Sequence, residues 1–344
     1  MSELSICIMR LSAIGDVTHV VPVIHAIRKH LPQAKITWII GKLEARLLSG
    51  LPGVEFVVFD KKGGFDAFRQ LRKTLKHRSF DVLLHMQVAA RANLLSTLVK
   101  APRRIGWDKP RWRDRHQWFI SESVRSLPEQ HQVDAFLEFA HALGIPEEPP
   151  VWNLPVSEEN LTWAKQVLGD GAPILMISPC SSHPLRNWRA AYYALVADYA
   201  ISELSMRVVL TGGPSALEIK TGQEIESAMH NKPQNLIGKD TICQSVALLK
   251  QAKVVISPDS GPAHLASSVG TPVIGLYAAT PSKRSGPYNS LGLCVDKYTE
   301  AAREFRHKEP RELRWGQRIE FPGVMDLIEP KEVIDKLNEF MWTY

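Results

Sequence analysis

The chain has 344 residues, of which 44% are hydrophobic and 23% charged, a composition typical of a soluble globular protein. This length exceeds one ordinary hydrophobic core, so we expect two domains. The net charge of +6 limits the expected partners to nucleic acid, an anionic membrane surface or a negatively charged substrate. Four widely spaced cysteines, without a C-x-x-C pair, argue against a zinc site or a disulfide framework and favour a reducing cytoplasm.

The start of the chain lacks the pattern of a targeting segment. Arg10 and Asp16 interrupt the first apolar stretch, so we expect no signal peptide. No run of about 18 apolar residues predicts a membrane span. We therefore expect the protein to be cytoplasmic.

The first half of the sequence alternates strand and helix patterns. Four buried strands are predicted by the segments "SICIM", "KITWII", "VEFVVFD" and "FDVLLHM". Helical patterns cover residues 20–30, "KLEARLLSG" and "FDAFRQLRKTLKHRS". This alternation in short units indicates an α/β fold, a parallel sheet with helices on both faces.

A proline-rich stretch at 144–160 reads as an interdomain linker, after which the alternation restarts. Strands are predicted by "PILMISP", "MRVVLTGGP", "NLIG", "VVISPDS" and "PVIGLY", with helical patterns between them. The end of the chain, "EPKEVIDKLNEFMWTY", is predicted to be helical. Two units of similar size suggest two Rossmann-like domains with parallel sheets facing a central cleft, at 1–155 and 156–328, followed by the helix at 329–344.

The stretch "RLSAIGDVTHVVP" lies where the first strand leads into a helix. In open α/β sheets ligands bind beyond the carboxyl ends of strands, so this turn is a candidate site. Either Asp16 caps the helix, or Thr18 caps it and leaves Asp16 facing the cleft. A free carboxylate there could accept a proton from a bound hydroxyl. We interpret His19 as a helix-surface or packing residue rather than a catalyst.

The segment "SPDSGPAHLASSVG" is a second strand-to-helix turn. Gly261 permits close approach of a ligand to the backbone, and Pro262 favours a helix start. The N–H groups from Gly261 to His264 could bind a diphosphate, or Asp259 or Ser260 could merely cap the helix. Neighbours so close in sequence rarely form a catalytic triad, so we do not expect Ser260 to be a nucleophile.

Two further turns carry polar residues. "SPCSSHPLRNW" offers the hydroxyls of Ser181 and Ser182 and the phosphate-binding fork of Arg186, although Arg186 could equally be a surface arginine. "LTGGPSALE" lacks the G-x-G-x-x-G pattern, so no dinucleotide fingerprint is predicted. Glu218 in that turn is either a ligand for ribose hydroxyls or a solvated acid in the first helical turn.

The segment 103–118 holds six Lys or Arg against two Asp, with three tryptophans. It reads as a solvated basic loop, an anionic acceptor site or a nucleic-acid face. No RNP, helix-turn-helix or OB pattern accompanies it, so nucleic acid is not expected as a partner. Arg91, after the fourth strand, is expected to join this basic surface.

These motifs together resemble the ADP-heptose:lipopolysaccharide heptosyltransferases of glycosyltransferase family 9, in the same order and over nearly the whole chain. The resemblance implies the GT-B fold, with the C-terminal helix at 329–344 packing back on the first domain. It implies inverting transfer of heptose from ADP-heptose, without a metal or another cofactor. The run from Trp315 through "GQRIEFPGVMDLIEP" resembles the branch that adds the first heptose to Kdo.

Carried over by position, Asp16 resembles the catalytic base of the family, and Arg186 stands where the family usually has lysine. Pro262 has no N–H, so the phosphate-facing turn would donate from Gly261, Ala263 or His264. The donor-binding set implied by the resemblance is Ser181, Ser182, Arg186, Glu218, Asp259, Ser260, Gly261, Pro262, Ala263 and His264. The expected acceptor-binding set is Ser12, Gly15, Arg91, Arg111 and Arg113.

The partners implied are ADP-heptose and a Kdo residue on lipid A, whose carboxylates and phosphates would suit the basic segment. A basic enzyme of this kind is expected to be peripheral on the anionic inner face of the inner membrane, in transient contact with it. Two alternatives stay open at this point. One is a GT-B-fold nucleotide-sugar 2-epimerase, and the other is a non-catalytic nucleotide- or RNA-binding protein.

Overall fold

A computed structural model describes residues 3–343, which fold into two compact units, Met1–Pro155 and Val156–Tyr344. The division falls where the proline-rich stretch placed the domain boundary. None of the helices in the described part of the chain is long and apolar enough to cross a membrane.

The first unit is a six-stranded parallel sheet with helices, in the strand order β3-β2-β1-β4-β5-β6. Its strands are β1 Ser5–Met9, β2 Lys35–Gly41, β3 Val54–Phe59, β4 Val82–His85, β5 Arg103–Gly106 and β6 Glu122–Ser123. Its helices are α1 Ile14–His30, α2 Lys42–Leu47, α3 Gly64–Leu75, α4 Ala90–Ser96 and α5 Gln132–His141.

The second unit repeats this plan, in the strand order β12-β11-β10-β7-β8-β9. Its strands are β7 Ile174–Ile177, β8 Arg207–Leu210, β9 Gln234–Asn235, β10 Val254–Pro258, β11 Val273–Tyr277 and β12 Val295–Asp296. Its helices are α6 Glu158–Leu168, α7 Ala190–Ser202, α8 Ala216–Ala228, α9 Ile242–Gln251, α10 Gly261–Ser268, α11 Ser282–Ser285, α12 Tyr298–Arg306 and α13 Pro330–Thr343.

Both sheets have the Rossmann strand order. Numbered within its own unit, each sheet runs 3-2-1-4-5-6, so the first and fourth strands are neighbours. Ile6 of β1 pairs with Val82 of β4, and Ile177 of β7 pairs with Ile256 of β10. The order reverses at these pairs, and the carboxyl ends beside them are where such sheets bind ligands. The predicted α/β class with two Rossmann-like units is confirmed.

The C-terminal helix packs within the second unit. Val333, Leu337 and Phe340 of α13 are buried in that unit's core, and α13 lies against α7, β11 and β12. We expected α13 to pack on the first unit. That prediction is wrong for the apolar side of the helix, which lies in the core of the second unit. Burying those three side chains in the second core removes their apolar surface from water. The last residue of the predicted helix, Tyr344, lies outside the described residues.

Helix α1 begins six residues earlier than the pattern predicted, and Pro22 lies inside it. Proline has no N–H, so the carbonyl of Thr18, one turn earlier, loses its helical donor. The indole Nε1 of Trp152 donates to that carbonyl at 3.0 Å. The indole bond replaces the missing helical bond to Thr18. The helix therefore continues through Pro22, which we expected to lie in its first turn.

Strand β5 lies inside the segment 103–118, for which a solvated basic loop was one of three alternatives. Ile105 is buried and pairs with Leu84 of β4. Arg104 donates to the carbonyls of Ser96, Val99 and Phe119, and Arg103 donates to Glu122 and to the Ala142 carbonyl. Two of the six basic residues therefore hold the unit together, and the prediction of one continuous solvated loop was wrong.

Trp152→Phe should destabilise the first unit by about 1 kcal/mol, because the Thr18 carbonyl loses its donor. In a Pro22→Ala background the same change should lower the free energy of unfolding only slightly, because the backbone N–H of the introduced alanine then donates to the Thr18 carbonyl. Urea unfolding of the four proteins of this double-mutant cycle measures the difference. Equal costs in both backgrounds would show that Trp152 acts through packing alone.

Two buried histidines lie at the carboxyl end of β4. The rings of His85 and His116 are 4.6 Å apart between centroids, and both side chains are inaccessible to solvent. His116 Nε2 accepts from the Trp107 N–H at 3.1 Å, so its Nδ1 carries the proton that meets Asn93 Oδ1 at 3.0 Å. Burial lowers the pKa of His116 to about 4, and burial together with the nearby His116 and Arg104 lowers the pKa of His85 to about 3.

The first unit should lose stability as the pH falls from about 6.5 towards 4. Over this interval the unfolded chain binds protons at His85 and His116 while the folded unit does not, so protonation favours unfolding. Each histidine should contribute a slope of roughly 1.4 kcal/mol per pH unit. His85→Leu should reduce the slope, and the exposed His77→Gln should leave it unchanged. An unchanged slope in His85→Leu, measured by denaturant unfolding, would contradict this account.

Candidate active site

Asp16 lies in the first turn of α1, immediately beyond β1. The helix is capped at Ala13, whose N–H donates to Asp16 Oδ2 at 3.2 Å. Thr18 lies within the helix and donates its hydroxyl to the Gly15 carbonyl at 2.7 Å, so Thr18 as the helix cap was wrong. Ser12 is half-buried in the connection and Gly15 is buried. The Asp16 carboxylate thus accepts a hydrogen bond at the start of α1 and also lies at the edge of the sheet where ligands bind.

The Asp16 carboxylate is held by two further side chains. Arg10 forms an ion pair with it, and Gln132 of α5 donates to Oδ1 at 2.6 Å. Arg10 is itself fixed, because it donates to the Met86 carbonyl at 2.7 Å and lies 5.4 Å above the Phe136 ring. The carboxylate retains 25% exposure. It is therefore oriented but open to a ligand.

Arg10 and Gln132 were not predicted as site residues from the sequence. Helix α5 was not predicted, although its apolar residues Val133, Phe136, Leu137 and Ala140 follow helical spacing. That spacing would have found the helix, but no local signal joins Gln132 to a carboxylate 116 residues away. His19 is buried, with its ring centroid 5.9 Å from that of Phe136, which agrees with its interpretation as a packing residue.

The three expected acceptor arginines follow β4 and β5, and none of them pairs with Asp16. Arg91 donates to the Lys61 carbonyl at 3.0 Å. Arg111 pairs with Asp108 at 2.7 Å and lies 5.2 Å above the Trp107 ring. Arg113 is exposed, with no carboxylate within 4.0 Å among residues 3–343. Their role towards an acceptor stays a prediction.

Arg186 is a buried cation in the second unit. Its Nε and Nη2 donate to Glu320 Oε1 at 2.8 and 2.6 Å, and its Nη1 lies 3.9 Å from Asp259 Oδ2. The alternative of a surface arginine is therefore wrong. The guanidinium lies between a partner carboxylate and the end of β10, beside the reversal of strand order.

Glu320 is a site residue that was not predicted from the sequence. The preceding Ile319 is fully buried and donates its N–H to the Ala279 carbonyl at 2.8 Å, which fixes this segment at the end of β11. Burial alone would raise the pKa of Glu320, but the hydrogen bond and charge of Arg186 outweigh it and lower the pKa. The pair lies 134 residues apart in sequence, so no local pattern could have predicted it.

Ser260 caps helix α10, which confirms one of the two capping residues that the sequence offered, Asp259 and Ser260. Ser260 Oγ accepts from the Ala263 N–H at 3.4 Å, and the Ser260 carbonyl accepts from the His264 N–H at 3.4 Å. Two of the three expected N–H donors are thus already engaged. The Gly261 N–H has no acceptor among the described residues, so it is the donor that this turn offers to an anion. Pro262 contributes no N–H.

Asp259 connects the cap to the buried arginine. Its Oδ1 lies 3.8 Å from His264 Nε2 and its Oδ2 lies 3.9 Å from Arg186. The structure thus brings together three of the predicted donor-site residues. At these distances Asp259 is near both cations without a direct hydrogen bond to either.

Two more expected donor residues lie in the turn after β7. Ser181 is buried, donates its backbone N–H to Asn187 Oδ1 at 2.7 Å, and donates its hydroxyl to the His183 carbonyl at 3.1 Å. Ser182 is exposed. Ser181 therefore shapes the turn that carries Arg186, and Ser182 is the hydroxyl left open to a ligand.

Glu218 lies at the start of α8, beyond β8. Its carboxylate accepts from the Gly213 N–H at 2.7 Å and from the Ser215 hydroxyl at 2.6 Å, while Ser215 caps the helix. It is half-buried, so a simple solvated acid does not describe it. Its carboxylate holds the glycine turn, and the ribose role stays a prediction.

One group of side chains in the described part of the chain has the proximity that a metal site needs, namely Glu138, His141 and Glu147. Arg125 already lies among them, donating to Glu138 at 2.6 Å and to Glu147 at 2.6 Å. The Arg125 bonds outweigh burial and lower the pKa of Glu138. One guanidinium already bonds both carboxylates, so we interpret the group as an ion-pair cluster rather than a metal site.

The chain is similar to known glycosyltransferases. The model of glycosyltransferase family 9 (heptosyltransferase) matches residues 68–314. The lipopolysaccharide core heptosyltransferase OpsX of Haemophilus influenzae is 38% identical over 97% of this chain and 96% of its own.

Two solved structures share the fold. The family 9 glycosyl transferase of Veillonella parvula is 21% identical, with a TM-score of 0.83, and covers 100% of this chain and 99% of its own. The E. coli ADP-heptose lps heptosyltransferase II is 20% identical, with a TM-score of 0.73, over 98% of each chain.

The resemblance implies that Arg186 binds the diphosphate of the donor. If it does, Arg186→Ala should weaken binding of ADP by about 10- to 100-fold, because a charge-assisted contact is lost. Arg189→Ala is the matched control, since Arg189 is exposed and pairs with Asp326. Titration calorimetry measures both affinities. Unchanged ADP affinity in a folded Arg186→Ala protein would remove Arg186 from the diphosphate site.

Proposed function

Because the chain belongs to glycosyltransferase family 9, the heptosyltransferases, we propose that it transfers heptose from ADP-heptose to a Kdo residue of lipid A during lipopolysaccharide core synthesis. Each Rossmann-like unit is of the kind that builds GT-B enzymes. The names of the Haemophilus and E. coli relatives support the core acceptor and the ADP-heptose donor respectively. The Kdo acceptor rests on the resemblance of the C-terminal motif.

The placement of Asp16 carries the proposed mechanism. Its carboxylate lies beyond β1, oriented by Arg10 and Gln132 and open to a ligand. The acceptor hydroxyl oxygen attacks the anomeric carbon of heptose as Asp16 takes the hydroxyl proton. The bond from that carbon to the diphosphate oxygen breaks, and ADP leaves with the electron pair. One displacement of this kind inverts the anomeric configuration.

The second unit stabilises the leaving group in this proposal. ADP gains negative charge as the bond breaks, so donors fixed in advance lower the barrier rather than only binding substrate. Arg186 is fixed by Glu320, and the Gly261 N–H at the start of α10 has no acceptor within residues 3–343. In this proposal both groups donate hydrogen bonds to the diphosphate, and no metal ion takes part.

The acceptor and its location follow from charge. Kdo carboxylates and lipid A phosphates are anionic. Arg91 follows β4, the neighbour of β1, and Arg111 and Arg113 follow β5, the next strand along the sheet. Arg111 is compensated by Asp108, whereas Arg91 and Arg113 have no carboxylate within 4.0 Å among residues 3–343, so these two are the cations available to an acceptor phosphate. We place the enzyme in the cytoplasm, in peripheral contact with the inner membrane. Neither the 2-epimerase nor the nucleotide- or RNA-binding alternative is favoured by the family match.

Asp16→Asn should lower acceptor-dependent ADP release from ADP-heptose and Kdo-lipid A by about 10²- to 10⁴-fold, the usual contribution of a general base. Asparagine keeps the size and one acceptor oxygen but cannot take the proton. ADP affinity should stay near that of the unaltered enzyme, because Asp16 lies in the first unit.

Glu332→Gln supplies the matched control. Glu332 accepts from the Glu329 N–H at the start of α13, as Asp16 does from Ala13, and it lies in the second unit. It should leave turnover unchanged. Turnover retained in Asp16→Asn would remove Asp16 as the base, and ADP release without acceptor would reject the proposed transfer.

A further inference from the structure

Helix α3 and the residues that flank it are strongly basic, and the proposed reaction assigns them no role. Residues 61–78 contain seven Lys or Arg and one acid, Asp66. The buried side of the helix, with Leu71 and Leu75, packs into the core over the sheet. Its other side is exposed, and that side carries most of the charge.

Most of these charges lack an acidic partner. Lys61 pairs with Glu44 and Arg78 pairs with Glu55. No carboxylate in the described part of the chain lies within 4.0 Å of the remaining five, which are Lys62, Arg69, Arg72, Lys73 and Lys76. Surface cations in folded proteins are usually interspersed with acids, so an uncompensated set on one side of a helix indicates an anionic partner.

Large apolar side chains project among these cations. Phe65 of α3 is 69% exposed, Leu94 of α4 is 56% exposed, and Trp118 is 66% exposed. The Arg69 guanidinium lies 5.1 Å above the Phe65 ring, and that of Arg115 lies 4.8 Å above the Trp118 ring. Each exposed aromatic ring thus has a cation beside it.

These side chains belong to one continuous surface. Helices α3 and α4 cover the same core cluster, and Arg91 Nη1 and Lys100 Nζ join their two ends through the carbonyls of Lys61 and Lys76 at 3.0 and 2.9 Å. Asn93 of α4 donates to the Asp114 carbonyl at 2.8 Å, which attaches the turn that bears Trp118. We call this surface the α3–α4 face, comprising Lys62, Phe65, Arg69, Arg72, Lys73, Lys76, Leu94, Arg115 and Trp118.

We propose that the α3–α4 face binds the surface of an anionic phospholipid bilayer. Its cations meet the headgroup phosphates, and Phe65, Leu94 and Trp118 enter the boundary between headgroups and acyl chains. A second copy of the chain would bring like charges together. Nucleic acid would satisfy the cations but would leave Leu94 exposed, since an aliphatic side chain offers no stacking surface to bases.

This inference rests on the proposed function for its purpose. Helices α3 and α4 both begin at the carboxyl edge of the first sheet, the edge at which Asp16 begins α1. Binding the bilayer through these helices therefore holds the first unit, with Asp16, at the surface where an acceptor sugar on a lipid anchor is held. The face gives the transferase a way to remain on the surface that carries its acceptor.

The test is sedimentation of the full-length protein with vesicles of phosphatidylcholine alone or mixed with phosphatidylglycerol. Binding should require the anionic lipid and should weaken with salt. Arg72→Glu with Lys73→Glu should reduce the bound fraction by about tenfold, and Phe65→Ser with Trp118→Ser should do likewise.

Matched controls lie on the second unit. Lys232→Glu with Lys331→Glu makes the same change of charge at exposed lysines, and Trp342→Ser removes a tryptophan that is 89% exposed. Both should bind vesicles as the unaltered protein does. Equal binding to neutral vesicles, equal loss in the controls, or binding to single-stranded RNA but not to vesicles would overturn the proposal.

Turnover separates this proposal from the proposed function. The α3–α4 variants should act normally on a water-soluble, deacylated Kdo acceptor and poorly on Kdo-lipid A in vesicles. Loss on both acceptors would assign the face to catalysis or folding and reject a docking role. Vesicle binding without turnover on either acceptor would support the docking face while rejecting the proposed transferase reaction.

Discussion

Every strand of a parallel sheet ends at the same edge, and this constraint determines where the chain can hold its polar groups. In both sheets the strand order reverses between the first and fourth strands, so the helices on either side diverge and leave room for a ligand. Asp16 follows the first strand of one sheet, and Arg186 follows the first strand of the other. The same topology thus positions a carboxylate in one unit and a cation in the other.

Both groups carry a compensating charge that also orients them. Arg10 pairs with Asp16, and Glu320 pairs with Arg186. A buried, unpaired charge would cost several kcal/mol, so each partner makes the burial of the other tolerable. The fixed geometry that results is what a base or a leaving-group ligand needs, since it does not have to reorganise during the reaction.

The sequence predicted most of the fold, because buried strands and amphipathic helices carry periodic signals. It placed β1 at its observed bounds and found the four strand-to-helix turns that carry Asp16, Arg186, Glu218 and Ser260. It failed where a local preference was overridden by a distant contact. Pro22 and the arginines of β5 are of this kind, because Trp152 and the carbonyls around Arg104 supply bonds that no local pattern shows.

The same reason limits prediction of the site. Asp16 and the Ser260 turn were found because a strand-to-helix turn is a local feature. Gln132 and Glu320 lie 116 and 134 residues from the groups that they hold, and only the folded topology joins them.

The proposed mechanism depends on inverting transfer by one displacement, and the anomeric configuration of the new glycosidic bond tests this most directly. Nuclear magnetic resonance of the product should show the configuration opposite to that of the ADP-heptose donor, and the same configuration would contradict the mechanism.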